Sequence, residues 1–401
     1  MSEIIHKIRS EGVVLYGAGR IGQQIAGKYM ESGIKILAVW DQRAKALEIE
    51  NAMEVTLPDY TYRKDVVIVV CVHSRKIYED IRETLLAHGF SHVLKSNDDA
   101  LGQFGVCDGL QRQDIRRCNC CVVTGGGCPA YLAILKQGHE SHVDMPLLAL
   151  TPTYRCTLKC KNCVQMTGEF RKKGIDWQFD LKVFREIWGK FIAAVGWVDV
   201  LTFTGGEFFN YTHWKELLAF CVAEQAVGVI NITTNGIHHF QREDIEQIKK
   251  DKIVITLDDY GERLSEWQND IFRETEGLFA QYGINYYVLH NEEGIWYEHG
   301  DHHERGYSEQ RLKNMYRECP FSECYAIQTD MTFTICGRQN ILRKLEGMDL
   351  FDKDYVSIGD YEDVGELRAA IQTLMRRDYL DVCGFCTGNA KSVPAAEQSE
   401  S

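Results

Sequence analysis

The chain lacks several features that would direct it to a membrane or to nucleic acid. No stretch of about 18 apolar residues occurs, so no segment is predicted to span a bilayer. The N-terminus lacks the basic region and continuous apolar run of a secretory signal. Basic residues are outnumbered 45 to 58 by acidic ones, and the net charge of -13 repels phosphate backbones and anionic lipid. We therefore expect a cytoplasmic protein with neither nucleic acid nor membrane as its main partner.

Internal repeats are also absent, whereas cysteine is abundant. A chain of 401 residues is longer than a domain with one hydrophobic core usually is, so two or three domains are expected. Fifteen cysteines are poorly explained by disulfides, because the cytosol keeps thiols reduced. Metal or cluster ligation explains them better.

The order of apolar runs and amphipathic stretches predicts an α/β protein with several parts. Residues 1–100 read as a small Rossmann-like parallel sheet, and residues 101–145 as a cysteine-rich connector. Residues 146–308 repeat strand and helix in the manner of a partial (β/α)6 TIM barrel, with its site at the strand C-terminal ends. Residues 309–388 add a small domain with a hairpin, and the polar tail at 389–401 is expected to be disordered.

A glycine loop lies near the N-terminus. Gly17, Gly19 and Gly22 follow a predicted strand and open a helix, and Asp41 ends the next strand. This context predicts a phosphate site, with the acid on the ribose hydroxyls. Only about four strands fit before residue 100, so we favour a nucleotide or nucleotide-sugar over NAD, and the domain resembles small nucleotide-sugar-binding domains of bacterial sugar-modifying enzymes. A docking domain with no ligand is the alternative.

Three cysteines stand on one short loop after the predicted strand LLALT. Cys156, Cys160 and Cys163 can hold three irons of a 4Fe-4S cubane and leave the fourth iron without a protein ligand. The alternative is a zinc knuckle, although zinc sites usually pair two cysteines with another nearby pair or with histidines.

The segment CTLKCKNC resembles the signature of the radical S-adenosylmethionine superfamily, and the resemblance extends over about residues 146 to 300. It implies that the amino and carboxylate groups of S-adenosylmethionine chelate the open iron. Val164 departs from the family, which commonly has an aromatic residue there, so the adenine pocket is not assigned. The resemblance implies cofactor contacts from the strand ends that carry Gly205, Gly206, Glu207, Thr234, Asn235 and Asp258.

A second cysteine set follows the barrel region and consists of Cys319, Cys336, Cys383 and Cys386. Its layout resembles the twitch domain of radical S-adenosylmethionine dehydrogenases, the family of 2-deoxy-scyllo-inosamine dehydrogenase. The resemblance implies a second 4Fe-4S cluster, closed by four protein ligands, that accepts or relays an electron. Cys324 is an alternative ligand, and buried free cysteines are the alternative to a cluster.

A third group of cysteines lies in the connector. This group could bind zinc or a further cluster. The alternative is that its members are reduced structural cysteines, because two adjacent cysteines cannot easily face one cluster. The members of this group are Cys118, Cys120, Cys121 and Cys128.

These features predict an oxidoreductase that takes hydrogen from a sugar, cyclitol or nucleotide-sugar. The substrate radical is then oxidised through the auxiliary cluster, and flavodoxin or ferredoxin is the expected reductant. The alternatives are a sugar epimerase, a peptide-modifying enzyme, and an iron-sulfur sensor or scaffold. The polar segment from Trp296 to Arg305 either lines the substrate pocket or is a surface loop, so no catalytic base is assigned.

Overall fold

The structure is a computed structural model that describes residues 2–31, 33–44, 54–72, 75–96, 132, 135–291, 295–298, 301–388 and 391–399. The chain divides into two compact units, Met1–Ile134 and Leu135–Ser401, and each is described by itself. The connector cysteines Cys118, Cys120, Cys121 and Cys128 lie outside the described residues. Among the helices in the described ranges, none is both long and apolar enough to cross a membrane.

The helices and strands are numbered along the chain. The helices are α1 (Ser2–Glu11), α2 (Arg20–Glu31), α3 (Arg75–Ala87), α4 (Thr167–Lys172), α5 (Leu181–Val195), α6 (Trp214–Ala223), α7 (Arg242–Ile248), α8 (Glu266–Tyr282), α9 (Glu309–Glu318), α10 (Arg338–Glu346) and α11 (Val364–Met375). The strands are β1 (Val13–Tyr16), β2 (Ile36–Trp40), β3 (Val55–Thr56), β4 (Val67–Val70), β5 (His92–Lys95), β6 (Leu147–Leu150), β7 (Val198–Phe203), β8 (Val227–Thr234), β9 (Ile253–Asp259), β10 (Tyr286–His290), β11 (Ile295–Tyr297), β12 (Tyr325–Ile327), β13 (Thr332–Thr334), β14 (Tyr355–Ser357) and β15 (Ser392–Pro394).

The N-terminal unit is built on a five-stranded parallel sheet in the order β3-β2-β1-β4-β5. This is the order of the first five strands in doubly wound dinucleotide-binding sheets. Strands β1 and β4 are buried along their whole length, as expected for a parallel sheet covered on both faces. The sequence predicted four of the five strands. It missed β3, which has only two residues.

The C-terminal unit contains an eight-stranded sheet in the order β10-β9-β8-β7-β6-β12-β13-β14. The strands from β10 to β12 are parallel, and β13 and β14 continue the sheet antiparallel. The repeated strands predicted for residues 146–308 are present as β6 to β10, and the predicted hairpin is formed by β12 and β13. Because β12 pairs directly with β6, the expected boundary at residues 308 and 309 does not separate two sheets.

Helix α5 shows why this unit folds as its sequence pattern indicates. Asp180 caps its first turn by accepting hydrogen bonds from the backbone N–H groups of Lys182 and Val183. One face buries aromatic and aliphatic side chains at helical spacing against the sheet. The helix ends at Gly196, whose φ of 85° excludes most other residues.

The prediction of a disordered tail at residues 389–401 was wrong for the described residues 391–399. Strand β15 pairs antiparallel with β11, and Ala395 and Ala396 are buried. The segment is polar in composition, but its backbone groups find partners on other segments, which composition does not reveal.

Candidate active site

The loop that carries the three cysteines follows β6 and has a shape set by its own contacts. Asn162 adopts a left-handed conformation with φ of 55°, which asparagine tolerates better than most residues. The guanidinium of Arg171, on α4, donates from Nη2 to the carbonyls of Cys156 at 2.7 Å and Leu158 at 2.9 Å. The loop is thus tied to α4 by contacts that do not involve the thiols.

Each of the three sulfurs lies next to one side-chain donor. Asn235 Nδ2 is 3.8 Å from Cys156 Sγ, and Gln398 Nε2 is 3.3 Å from Cys160 Sγ. The hydroxyl of Thr167 is 3.8 Å from the sulfur of Cys163. These donors suit thiolates, whose charge they would stabilise.

The thiols of Cys156, Cys160 and Cys163, called the triad from here on, are partly buried and lie close together. Burial raises the pKa of Cys160 to about 11, and the pKa of Cys156 also rises strongly through burial. The neighbouring Cys163 thiol adds to both shifts. Thiolates are therefore costly here unless a positive group such as iron compensates them. Among the described residues no three His, Cys, Asp or Glu side chains converge on one metal ion; a cubane does not require this, because each thiolate binds a separate iron.

The predicted GGE segment lies beside the residues that lead into Cys156. Gly206 N–H donates to Thr153 O at 2.8 Å, and Glu207 N–H donates to Arg155 O at 2.7 Å. A Cβ on Gly205 would stand 2.5 Å from Thr153 O, and one on Gly206 would stand 2.0 Å from Arg155 O. The two glycines are therefore required for the close backbone approach that positions the cysteine loop.

Glu207 is a buried carboxylate, only 1% exposed, with partners from the adjacent strand end. One oxygen accepts the N–H of Asn235 at 3.0 Å, and the other lies 3.4 Å from the N–H of Phe209. Burial raises the pKa of Glu207 to about 7, although hydrogen bonds from the Asn235 backbone and the Thr234 side chain oppose the shift. Glu207 thus fixes the end of β8 relative to the end of β7.

Asp258, at the end of β9, is a second buried carboxylate. It accepts hydrogen bonds from Asn291 Nδ2 at 3.0 Å and from the Tyr260 hydroxyl at 3.3 Å. Burial raises its pKa to about 7, and the charge of Glu207 adds to the shift. No ion pair joins either carboxylate to a basic side chain in the part of the chain that the structure describes. A cationic ligand such as S-adenosylmethionine would suit this uncompensated negative charge.

The four auxiliary cysteines come together from separate elements. Cys319 follows α9, Cys336 follows β13, and Cys383 and Cys386 belong to the 3-10 turn Asp381–Phe385 and its end. Burial raises the pKa of Cys336 well above its ordinary value, and the nearby Cys383, Cys319 and Cys386 thiols add to the shift. Four clustered thiols fit the donor set of a closed 4Fe-4S cluster.

A buried acid holds the last cysteine pair in place. Asp354 is 0% exposed and accepts the N–H groups of Asp381 and Val382, both at 2.8 Å. It also accepts a hydrogen bond from Arg377 at 2.9 Å. This anchor has no motif of its own, so sequence reasoning missed it.

Cys324 and the polar segment from Trp296 to Arg305 were also predicted as candidate site residues. The sulfur of Cys324 lies 3.7 Å from the carbonyl of Pro320. Trp296 meets Tyr260 edge to face at 6.2 Å, whereas His302 pairs with Glu346 at 2.8 Å. Of this segment, Trp296 packs next to the triad loop.

The N-terminal glycine loop has two crowded glycines and one open glycine. A Cβ on Gly17 would lie 2.8 Å from Cys71 O, and one on Gly22 would lie 1.9 Å from Gly17 O, whereas one on Gly19 meets no atom of the described residues within 4 Å. Asp41 is 6% exposed, and its oxygens accept the N–H groups of Ala18 at 2.9 Å and Arg43 at 2.8 Å. In this structure Asp41 ties the loop to the end of β2.

The backbone contact at the triad leads to a prediction about Gly206. We expect Gly206→Ala to lower the melting temperature and to reduce cluster content by about four irons per chain, because the new Cβ collides with Arg155 O. Gly189→Ala on α5 is the matched control, since its Cβ meets nothing within 4 Å. The control should gain up to about 1 kcal/mol of stability. Iron analysis and thermal unfolding measure both effects, and normal iron content in Gly206→Ala would contradict the role of this contact.

Residues 150–280 match the Radical SAM superfamily model, and no curated protein sequence matches the chain. The chain is similar in structure to Streptococcus suis SuiB bound to S-adenosylmethionine, with 21% identity over 40% of this chain and 37% of SuiB and a TM-score of 0.29. It thus spans little more than a third of that relative. It is also similar to BtrN in complex with AdoMet and 2-DOIA, with 11% identity over 64% of this chain and 97% of BtrN and a TM-score of 0.40.

The match to the Radical SAM superfamily model covers 131 of the 401 residues, from 150 to 280.

Proposed function

We propose that this protein is a radical S-adenosylmethionine oxidoreductase that converts an alcohol of a sugar, cyclitol or nucleotide-sugar to a ketone. The observation that carries the proposal is the pairing of a three-cysteine loop with a separate group of four clustered, partly buried cysteines. Three thiolates leave one iron open, whereas four close a cluster. Two sites of these kinds suit radical formation at one and electron acceptance at the other.

The residues of the chain would divide the work of radical formation. When bound at Cys156, Cys160 and Cys163, the cluster supplies the electron that cleaves S-adenosylmethionine into methionine and a 5′-deoxyadenosyl radical. Glu207 and Asp258 provide negative charge near the cationic cofactor, and their burial keeps water from screening it.

Oxidation of the alcohol to a ketone removes a hydrogen atom, a proton and an electron, and each needs an acceptor. The carbon gives a hydrogen atom to the 5′-deoxyadenosyl radical, the hydroxyl gives a proton to a base, and one electron leaves the substrate radical. The site of the four auxiliary cysteines is the proposed electron acceptor. Flavodoxin or ferredoxin would reduce the triad site before each turnover.

Two other reactions remain testable alternatives. An epimerase would return a hydrogen atom to the carbon, for which Cys324 is a possible donor, and would form no ketone. A peptide-modifying enzyme would be favoured by a winged-helix element at the N-terminus, but the N-terminal unit is built on a parallel sheet. An iron-sulfur sensor would not cleave S-adenosylmethionine.

We expect the unsubstituted protein to bind about eight irons per chain and to form 5′-deoxyadenosine with S-adenosylmethionine and dithionite under anaerobic conditions. With a substrate deuterated at the reacting carbon, deuterium should enter 5′-deoxyadenosine and one ketone should form per 5′-deoxyadenosine. Mass spectrometry of a panel of sugars and cyclitols measures both products.

The double variant Cys383→Ala, Cys386→Ala is the control for the auxiliary site. It should keep about four irons and the cleavage activity but lose the ketone. Retention of all eight irons would refute the auxiliary assignment, and an inverted alcohol without ketone would favour epimerisation.

The pKa of Asp258 leads to a pH prediction. Below pH 7 the folded protein holds this acid protonated, so a cationic cofactor loses its partner. Asp258 alone should make S-adenosylmethionine bind roughly tenfold more tightly at pH 8 than at pH 6, and Glu207, whose pKa is also raised to about 7, would add to this effect. Equilibrium binding to the cluster-loaded protein measures this, and Asp258→Asn should bind weakly with a flatter pH profile. An unchanged pH slope in that variant would exclude Asp258 as the titrating group.

We also propose that the N-terminal unit binds a nucleotide or nucleotide-sugar at Gly17, Gly19 and Gly22. The parallel strand order and the open space at Gly19 support this proposal. Asp41 is its acidic member, but substitution of Asp41 would also remove the contact to Ala18. The sharper test is therefore at Gly19.

Gly19→Ala should preserve the fold, since its Cβ meets no atom within 4 Å in the part of the unit that the structure describes, but should block the approach of a pyrophosphate to the backbone. Nucleoside diphosphate sugars should raise the melting temperature of the unsubstituted protein and not that of Gly19→Ala. Gly27→Ala, on α2 and equally uncrowded, is the control and should keep the shift. If no nucleotide raises the melting temperature, the unit is better explained as a docking domain.

A further inference from the structure

We propose that Gln398 is a positioning residue of the triad site, which sets the reduction potential of its cluster through a hydrogen bond to the sulfur of Cys160. The inference rests on the proposed function, because it takes the triad to hold a cluster. The residues that carry it lie in the tail that the sequence predicted to be disordered.

The segment around Gln398 runs antiparallel to the cysteine loop. Cys160 and Gln398 form an antiparallel bridge. Lys161 N–H donates to Glu397 O at 2.6 Å, and Ser399 N–H donates to Lys159 O at 2.8 Å. The tail thus adds a short strand-like edge to the loop between the first and third cysteines.

Both ends of the Gln398 amide have partners, and these determine its orientation. The oxygen Oε1 accepts the backbone N–H of Lys159 at 2.9 Å, so the NH2 group cannot occupy that position. Nε2 therefore points the other way, where it lies 3.3 Å from Cys160 Sγ and 2.6 Å from Ala396 O. An amide nitrogen placed between a sulfur and a carbonyl has one hydrogen for each.

The tail is anchored independently of Gln398. Ala396 is 0% exposed and packs with Leu158, Ile237 and Tyr260, a cluster that Cys156 and Cys160 also contact. Strand β15, which pairs with β11, ends at Pro394, four residues before Gln398. A substitution at Gln398 can therefore remove the donor while the tail stays in place.

A hydrogen bond to a cysteine sulfur has a predictable effect on a cluster. Reduction adds negative charge to the cluster and its thiolates, and an N–H donor stabilises the reduced form more than the oxidised form. Gln398 should therefore raise the potential of the triad cluster. Because its side chain is neutral, the effect comes from the hydrogen bond and not from a net charge.

The test uses the Cys383→Ala, Cys386→Ala background, so that only the triad cluster contributes a signal. Gln398→Met keeps the length and much of the packing but cannot donate. A redox titration followed by electron paramagnetic resonance should give a lower midpoint potential for this variant. Glu397→Gln is the control: it weakens the exposed ion pair with Lys161 and leaves the sulfur contact, so it should keep the original potential.

Three results would overturn the inference. The first is an unchanged potential in Gln398→Met with normal iron content, and the second is an equal shift in Glu397→Gln. The third is a Gln398→Met protein that fails to load iron, because Gln398 would then be needed to hold the cluster and not to set its potential. Failure of the proposed function is distinct, since it appears as missing 5′-deoxyadenosine in the unsubstituted chain.

Discussion

The candidate site depends on one close backbone contact. The segment Gly205 to Glu207 approaches the residues before Cys156 so closely that a single added Cβ would meet a carbonyl oxygen at 2.5 Å or less. Two hydrogen bonds, from Gly206 to Thr153 and from Glu207 to Arg155, join the ends of β6 and β7 there. The cysteine loop begins directly after this contact. Its position is therefore set by the sheet before any cluster binds.

Charge is the second constraint on the site. Partly buried thiols and two buried carboxylates, Glu207 and Asp258, lie at the ends of β6, β7 and β9, and burial raises the pKa of both acids to about 7. Without a bound cation, the ionised forms of these thiols and acids are costly in free energy. Bound cations make the ionised forms favourable. Iron at the thiolates and a cationic cofactor at the carboxylates would meet this requirement together. The donors on Asn235, Thr167 and Gln398 then surround the sulfurs with further stabilising contacts.

Local patterns in the sequence predicted the elements that bear regular signals. Continuous apolar strands and the amphipathic face of α5 are such signals, and the structure contains both. The close spacing of Cys156, Cys160 and Cys163 likewise places three thiols on one loop whatever the rest of the fold. Strand β3 and the pairing of β12 with β6 were missed, because a short strand is stabilised by its neighbour and not by its own residues.

Contacts between distant segments had no sequence signal. Gln398 meets Cys160 across 238 positions, in a tail whose small polar residues predict disorder. Asp354 is a second example. It holds the turn at Asp381 and Val382 through their backbone N–H groups, which every residue except proline has, so the side chains there give no signal of the contact. Asp41 shows the opposite case, since its position was predicted but its carboxylate binds the protein's own loop.

The central claim is that the triad holds a cluster with one iron open to S-adenosylmethionine. Electron-nuclear double resonance on the reduced Cys383→Ala, Cys386→Ala protein tests it, with the methionine part of the cofactor labelled with nitrogen-15 at its amino group and oxygen-17 at its carboxylate. Coupling of both nuclei to the cluster is predicted, and substitution of Cys160 should abolish it together with the bound iron. A cluster signal that shows no coupling to either label would contradict the claim.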